Sequence, residues 1–190
     1  MGFLDALLGR TKPVPANLDD LFALPGAALT LQAGTDFTPT GTGSVCFRAA
    51  EGKAFSDIER DVRDLLSMGK DSAPIEVSTD AYKFTWLLSR HSADDPEGLV
   101  TDLHAVNSSL ELGGFGPLLL CTIMAFRDPG GRSLGLVYLY KRGTFYPFAP
   151  LSGQQRDNAL ELQIRGVLGA DLKIESDLGR WMPIWGAPGL

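Results

Sequence analysis

The sequence predicts an α+β domain in which helices pack on a face of one antiparallel sheet, or of two small ones. Two capped helical segments and a long apolar hairpin carry this prediction. Strand and helix signals follow the order ββα, ββα, ββα, and consecutive strands joined by short turns usually pair antiparallel. A short helix before this pattern and an irregular tail after it complete the expected architecture.

The 190 residues divide into an N-terminal amphipathic segment, residues 1–12, and a single α+β domain, residues 17–190. Pro13 and Pro15 separate the two parts, because proline ends a helix. A domain of this length buries roughly 70% of the surface that its unfolded chain exposes. It therefore needs no metal or disulfide for stability.

The first ββα unit has strand signals at residues 28–32 and 44–49, with a turn rich in Gly, Thr and Pro at residues 34–43. Its helix is predicted over residues 57–68. Ser56 and Glu59 form a capping box there, in which both side chains bond free backbone N–H groups.

The second unit has strands at residues 74–79 and 81–89, and a helix that begins at the acidic cap of residues 94–97 and ends at Gly113-Gly114. In its second strand, Phe84 and Trp86 belong to an alternating apolar series. This alternation predicts a sheet with one buried face.

The third unit is a hairpin followed by a helix. Its strands cover residues 118–127 and 134–141, around a turn at residues 128–131. Ser152 and Gln155 suggest a second capping box at the start of the last helix.

The composition argues against several classes of protein. The net charge is −6 and no block of Lys or Arg occurs, so a nucleic-acid surface is not expected. The N-terminus lacks the basic region of an export signal, and the longest apolar run, residues 117–126, is too short to cross a bilayer. We therefore expect a cytoplasmic protein, in which Cys46 and Cys121 are small buried hydrophobic residues.

A search for catalytic and metal-binding motifs is negative. His91 and His104 are the only histidines, and neither has a second ligand at a spacing typical of metal sites. The glycines at residues 113–116 follow a helix and precede a strand, the reverse of a phosphate-binding loop. We therefore expect a non-enzymatic protein without cofactor or metal.

Three groups of side chains exceed what a core requires, and they predict contact with a protein partner or a membrane surface. These are the apolar stripe with adjacent cations near the N-terminus, the aromatic residues of the segment 138–148, and the tail with its two tryptophans. The alternatives are that the first group packs on its own domain and that the tail wraps onto the core, the more common outcome for a tail. The predicted binding residues are Phe3, Leu4, Leu7, Leu8, Arg10, Tyr140, Arg142, Tyr146, Trp181 and Trp185.

Four stretches resemble the PspAB family of PspA-associated proteins: residues 1–9, 21–25, 43–48 and 180–186. The resemblance extends over essentially the whole chain, but its motifs are structural and carry no catalytic residues. It implies an accessory protein of the phage-shock type of envelope stress response. The implied partners are PspA and, in places, a membrane metalloprotease of the HtpX type.

Three functions follow from these observations. The favoured one is a non-enzymatic adaptor that binds a stress-response protein, with peripheral contact to the inner membrane face through the N-terminal segment. The second is a small-molecule sensor with a pocket lined by Trp86, Tyr138 and Tyr140. The third is an enzyme that uses His91 or His104 with a nearby carboxylate. Exposed strand edges in addition favour a twofold homodimer.

Overall fold

A six-stranded antiparallel sheet with strand order β2-β3-β1-β4-β5-β6 organises the chain. The computed structural model describes residues 17–48, 56–57, 60 and 75–190. The strands are β1 (Thr38–Arg48), β2 (Glu76–Thr79), β3 (Phe84–Arg90), β4 (Leu119–Arg127), β5 (Ser133–Leu139) and β6 (Thr144–Phe148), with β7 (Pro150–Leu151) and β8 (Gln155–Arg156) as a separate small hairpin. The described helices are α1 (Leu24–Gly34), α2 (Pro96–Leu110) and α3 (Asn158–Leu168). The predicted α+β class is therefore confirmed.

The prediction of a first strand at residues 28–32 is wrong, because these residues lie inside α1. The apolar residues Leu24, Ala27, Ala28 and Leu31 are spaced by three and four positions, and all four are buried on one helical side. Pro25 occupies the first turn, where its missing N–H costs nothing. The short window 28–32 shows only the alternation of Leu and Thr, so it resembles a strand.

Two boundaries also differ from the prediction. The turn expected at residues 34–43 belongs largely to β1, which already begins at Thr38. The capping box of Ser152 and Gln155 does not form, because Gln155 lies in β8 and α3 begins later. Its N-cap is Asp157, whose carboxylate accepts a hydrogen bond from the Leu160 N–H at 3.0 Å.

The other predicted elements are found close to their expected positions. Asp95 caps α2 through the Gly98 N–H, and Gly114, with a φ of 85°, lies in the turn that follows the helix. The β4–β5 hairpin turns at residues 128–131. Of the helix predicted at residues 57–68, Asp57 and Arg60 are described and helical. The rest of that helix and the N-terminal segment lie outside the described residues.

The three helices cover one face of the sheet, which we call the inner face. Its strands contribute Val45, Phe47, Leu87, Leu136 and Tyr138 to a continuous core with the apolar sides of α1, α2 and α3. Helix α2 lies across β1 and also contacts β3 and β4. This arrangement agrees with the prediction that helices pack on a sheet face.

The opposite, outer face is buried as well, so the prediction of one buried face is wrong. Residues 174–190, which we call the C-terminal segment, lie across it. Trp181 stacks on Tyr146 with ring centroids 6.0 Å apart, and Trp185 meets Phe148 edge to face at 5.0 Å. The tail therefore wraps onto the core.

Backbone and side-chain hydrogen bonds fix the start of the C-terminal segment on β6. Phe145 donates to the carbonyl of Lys173 at 2.9 Å, and Glu175 donates to the carbonyl of Phe145 at 2.7 Å. The buried Glu175 carboxylate accepts hydrogen bonds from Thr144 and from the Asp177 backbone. Burial alone raises the pKa of Glu175, but these bonds and nearby Arg142 outweigh it and lower the pKa, so the group stays ionised.

Replacement of Trp181 by alanine should destabilise the fold strongly. The side chain is 5% exposed, its indole N–H donates to the Glu175 carbonyl at 3.0 Å, and truncation leaves a cavity beside Tyr146. We expect a loss of about 3–5 kcal/mol in the free energy of unfolding, measured by urea denaturation. The control Leu178→Ala, at a half-exposed site in the same segment, should change it by less than about 0.5 kcal/mol. Equal effects of the two variants would contradict the docking of this segment.

Candidate functional site

A cavity of 550 Å³ lies between the outer face and the C-terminal segment. This volume is within the range of small-molecule sites, about 300–1,000 Å³. The floor is mainly apolar and the roof consists of residues 182–185. The floor comprises Cys46, Phe84, Trp86, Leu120, Cys121, Leu139 and Tyr146, and Arg48, Asp80, Tyr82 and Gln154 complete the lining.

The β2–β3 turn fixes one wall of this pocket. One Asp80 carboxylate oxygen accepts hydrogen bonds from the Tyr82 and Phe84 backbone N–H groups, at 2.8 and 2.9 Å. The other oxygen accepts from the Trp86 indole N–H at 2.9 Å. These bonds compensate the Asp80 carboxylate and set the orientation of the Trp86 ring, which is 2% exposed.

The roof is held by contacts with β6 and β8. The Tyr146 hydroxyl donates to the Met182 carbonyl at 2.8 Å, and Arg156 donates to the Trp181 carbonyl. Arg156 is in turn paired with the buried Glu161 of α3 at 2.9 Å. The backbone carbonyls of two consecutive residues, Trp181 and Met182, therefore connect the roof to the folded core.

Polar groups of the pocket lie mainly at its rim. Arg48 is exposed at the end of β1, and Gln154 donates to the Tyr82 hydroxyl at 3.4 Å. Tyr82 is itself 54% exposed. The arrangement suits a ligand with an apolar body and a polar end near the Arg48 guanidinium.

The two cysteines lie next to each other on the pocket floor. Cys46 of β1 and Cys121 of β4 are directly opposite in the register of the two strands. Both are buried free thiols, as the sequence predicted, and both line the pocket. The sequence could not reveal this pairing, because the register of distant strands is not encoded in either strand alone.

The structure places the predicted binding residues in different environments. Tyr140 lies on the inner face and is nearly buried, Tyr146 and Trp181 pack in the outer core, and Trp185 lines the pocket and is partly exposed. Arg142 is half exposed and lies 3.4 Å from Glu175. The residues between Phe3 and Arg10 lie outside the described chain. Partner or membrane binding by this set stays a prediction.

The predicted sensor pocket is found in part. Trp86 lines the cavity, but Tyr138 and Tyr140 do not, because they belong to the inner face. The Tyr138 hydroxyl donates to the Asn17 carbonyl at 2.8 Å. Burial and the neighbouring Glu111 raise the pKa of Tyr140 to about 12.

Neither histidine lines this pocket or two smaller cavities elsewhere in the described part of the chain. His91 is held between two carboxylates, with Nδ1 3.0 Å from Asp95 and Nε2 2.7 Å from Asp102, which also accepts from Ser89. His104 lies 3.2 Å from Asp19. Within the described ranges, no group of three or more His, Cys, Asp or Glu residues is placed to bind a metal ion.

Comparison with known proteins gives one match. The model of a protein family described as PspA associated protein B covers residues 1–189. Neither the curated proteins nor the solved structures contain a match. Among the helices that the structure describes, none has the length and apolar character needed to span a membrane.

The His91 cluster should make stability depend on pH. Burial lowers the pKa of His91, but the hydrogen bonds to Asp102 and Asp95 outweigh it and raise the pKa above the ordinary 6.5. A raised folded-state pKa means that this stabilisation is complete below pH 6.5 and is lost as the pH rises through the folded-state value. For Asp95, the bond to His91 lowers the pKa, so its contribution is lost only as the pH falls below the ordinary 3.8.

We therefore expect the difference in unfolding free energy between the wild type and His91→Gln to decrease as the pH rises above 6.5. Urea denaturation across this range measures it. The matched variant His104→Gln, whose partner Asp19 is largely exposed, should show a smaller change. A difference for His91→Gln that is independent of pH would contradict a charged imidazole at this site.

Proposed function

Because the chain belongs to the PspAB family, we propose that it is a non-enzymatic accessory protein of the PspA-dependent envelope stress response, controlled by an apolar small molecule. The observation that carries this proposal is the pocket of 550 Å³ on the outer face. The family supplies the link to PspA, and the pocket supplies the site at which a signal could bind.

The lining supports an apolar ligand. The floor presents an indole, two thiols and aliphatic side chains, and burial of apolar surface against them contributes about 25 cal/mol per Å². Among the described lining residues, Arg48 is the cation, and it favours a ligand whose polar end carries negative charge. Asp80 does not oppose this strongly, because its carboxylate already accepts three hydrogen bonds.

The roof gives a short connection between ligand and surface. Met182 lines the pocket, yet it is 58% exposed. A ligand that contacts Met182 from below therefore alters the side chain that a protein partner would contact from above. We place the adaptor surface for a PspA-type partner on this outer side of the C-terminal segment, beside Leu178.

A second contact surface is the β2 edge of the sheet. The other edge strand, β6, is paired with residues 173–175, at the start of the C-terminal segment. Strand β2 has only four residues, and three of them are exposed. Edge strands pair with strands of other chains, so β2 is the place at which a homodimer or a partner strand would add to the sheet.

The family also supports two further partners as proposals. Residues 1–12 would contact the inner membrane face, and a membrane metalloprotease of the HtpX type would be a second protein partner. Flotation with anionic liposomes tests the membrane contact. We expect the full chain to float and the variant that lacks residues 1–12 to remain at the bottom, and equal behaviour of both would contradict the proposal.

Binding in the pocket should be detectable with the apolar fluorophore N-phenyl-1-naphthylamine. We expect its fluorescence to increase on addition of the protein, and Leu120→Trp to weaken binding at least tenfold, because the larger side chain fills the pocket. Tenfold corresponds to about 1.4 kcal/mol. The control Leu112→Trp lies at a site that is 89% exposed and should bind as the wild type does. Equal binding by all three proteins would place the fluorophore elsewhere.

Capture of purified PspA tests the adaptor surface. Met182→Lys should reduce capture at least tenfold, because a charge in the centre of an apolar contact is desolvated on binding. Leu112→Lys introduces the same charge at an exposed site away from the roof and should leave capture unchanged. Absence of capture by the wild type, with and without vesicles, would contradict the partner assignment but not the pocket.

A further inference from the structure

The chain contains two cysteines, and the fold brings them together. They are separated by 74 residues in sequence, 47–120, yet Cys46 and Cys121 occupy opposite positions on β1 and β4. Their side chains share a hydrogen bond on the outer face. Two structural cysteines have no need to meet, because each is an adequate small hydrophobic residue on its own.

The strand geometry permits a bond between the two sulfurs. Directly opposite residues in antiparallel strands have Cα atoms about 4.5–5.5 Å apart. Disulfides span Cα separations of about 4.4–6.8 Å, so these strands need little movement. The β1–β4 register shifts immediately after Cys46, where Phe47 pairs with Leu119. Such irregularities increase the local twist and leave the strands some freedom to adjust.

The pocket supplies access to these sulfurs. Cys46 and Cys121 are only 3% and 6% exposed, but both line the cavity of 550 Å³. A reagent must pass between apolar side chains such as Trp86 and Leu139 to reach them. The route therefore favours a small uncharged reagent over a large charged one.

We propose that Cys46 and Cys121 are a redox-active pair that forms a reversible cross-strand disulfide by exchange with small, uncharged aliphatic disulfides. One cysteine thiolate attacks a sulfur of the small disulfide, breaks its S–S bond and releases one small thiolate. The second cysteine thiolate then attacks the Sγ atom of the first cysteine in this mixed disulfide, which forms the Cys46–Cys121 bond and releases the other small thiolate. The two cysteines lose two electrons and two protons, and the small disulfide becomes two thiols.

The environment of the pair disfavours the Cys46 thiolate. The hydrogen bond of the Cys46 thiol to Cys121, together with burial, raises the pKa of Cys46, so the Cys46 thiolate is scarce at neutral pH. Exchange should therefore be slow at neutral pH and faster in alkaline solution. The pair would respond to sustained exposure to an oxidant that enters the pocket rather than to brief contact at the surface.

The oxidised pair would cross-link the pocket floor. A bond between β1 and β4 joins two central strands of the sheet and closes a long loop, which constrains the unfolded chain. The folded protein should gain stability, and the floor below the roof should become more rigid. This inference requires neither the apolar ligand nor the PspA partner.

The test treats the full chain with bis(2-hydroxyethyl) disulfide or with oxidised glutathione, then blocks free thiols with N-ethylmaleimide and measures intact mass. With the small uncharged disulfide, the wild type should lose both thiols, gain no adduct and form no disulfide between chains. Its Tm should rise by several degrees and return after treatment with dithiothreitol. Oxidised glutathione should react at least tenfold more slowly.

The single variants Cys46→Ser and Cys121→Ser serve as matched controls, because each replaces one thiol by a hydroxyl of similar size. Each should retain one small thiol as a mixed disulfide, because the second cysteine is missing. The proposal is overturned if the folded wild type keeps both thiols while the urea-unfolded wild type is oxidised. A stable mixed disulfide on the wild type, a disulfide between two chains, or faster reaction with oxidised glutathione would also overturn it.

Discussion

The burial of the outer sheet face by the C-terminal segment is the constraint on which the rest of the structure depends. That face presents Trp86, Tyr146 and Phe148, and a sheet with such a surface cannot remain in water without a cover. Helices α1, α2 and α3 lie on the inner face, and among the described residues the C-terminal segment is the part that covers the outer face. Trp181 contributes to this cover by stacking on Tyr146.

The pocket is a consequence of how this cover ends. An irregular segment cannot match every groove of a twisted sheet, and here its ring contacts with the sheet are to β6. Its end meets the sheet closely, with Leu190 side-chain atoms 3.0 Å from the position of a Cβ at Gly135. Over Cys46, Cys121 and Trp86, the cover that the described residues provide consists of residues 182–185, which include Pro183. A cavity remains there, open to a ligand and to small reagents.

Local patterns in the sequence predicted most elements, because helix caps and turns act over a few residues. For this reason, the predictions of an acidic cap at Asp95 and of a turn after Asp128 are correct. The prediction of a strand at residues 28–32 is wrong, because a window of five residues cannot distinguish helical from strand spacing. The residues that decide it, Leu24 and Ala27, lie outside that window. Helix α1 is evident only over the full eleven residues.

The candidate site was less accessible to prediction, since it depends on contacts between distant parts of the chain. The prediction that Trp86 lines a pocket is correct, but Tyr138 lies on the inner face, because its strand neighbours Val137 and Leu139 point to the outer face. Which face carries the pocket is decided by the tail, and the tail has no periodicity to indicate where it docks. The adjacency of Cys46 and Cys121 likewise depends on the pairing of β1 with β4.

Hydrogen exchange measured by NMR tests the docking of the C-terminal segment most directly. The amides of Phe145 and Glu175 bond across the junction between β6 and the segment, and the Trp181 indole N–H bonds the Glu175 carbonyl. The account predicts that all three exchange as slowly as amides of the central strand β4, and that Trp181→Ala accelerates the exchange at Glu175. Rapid exchange of Glu175 and the Trp181 indole in the wild type, beside slow exchange in β4, would contradict it.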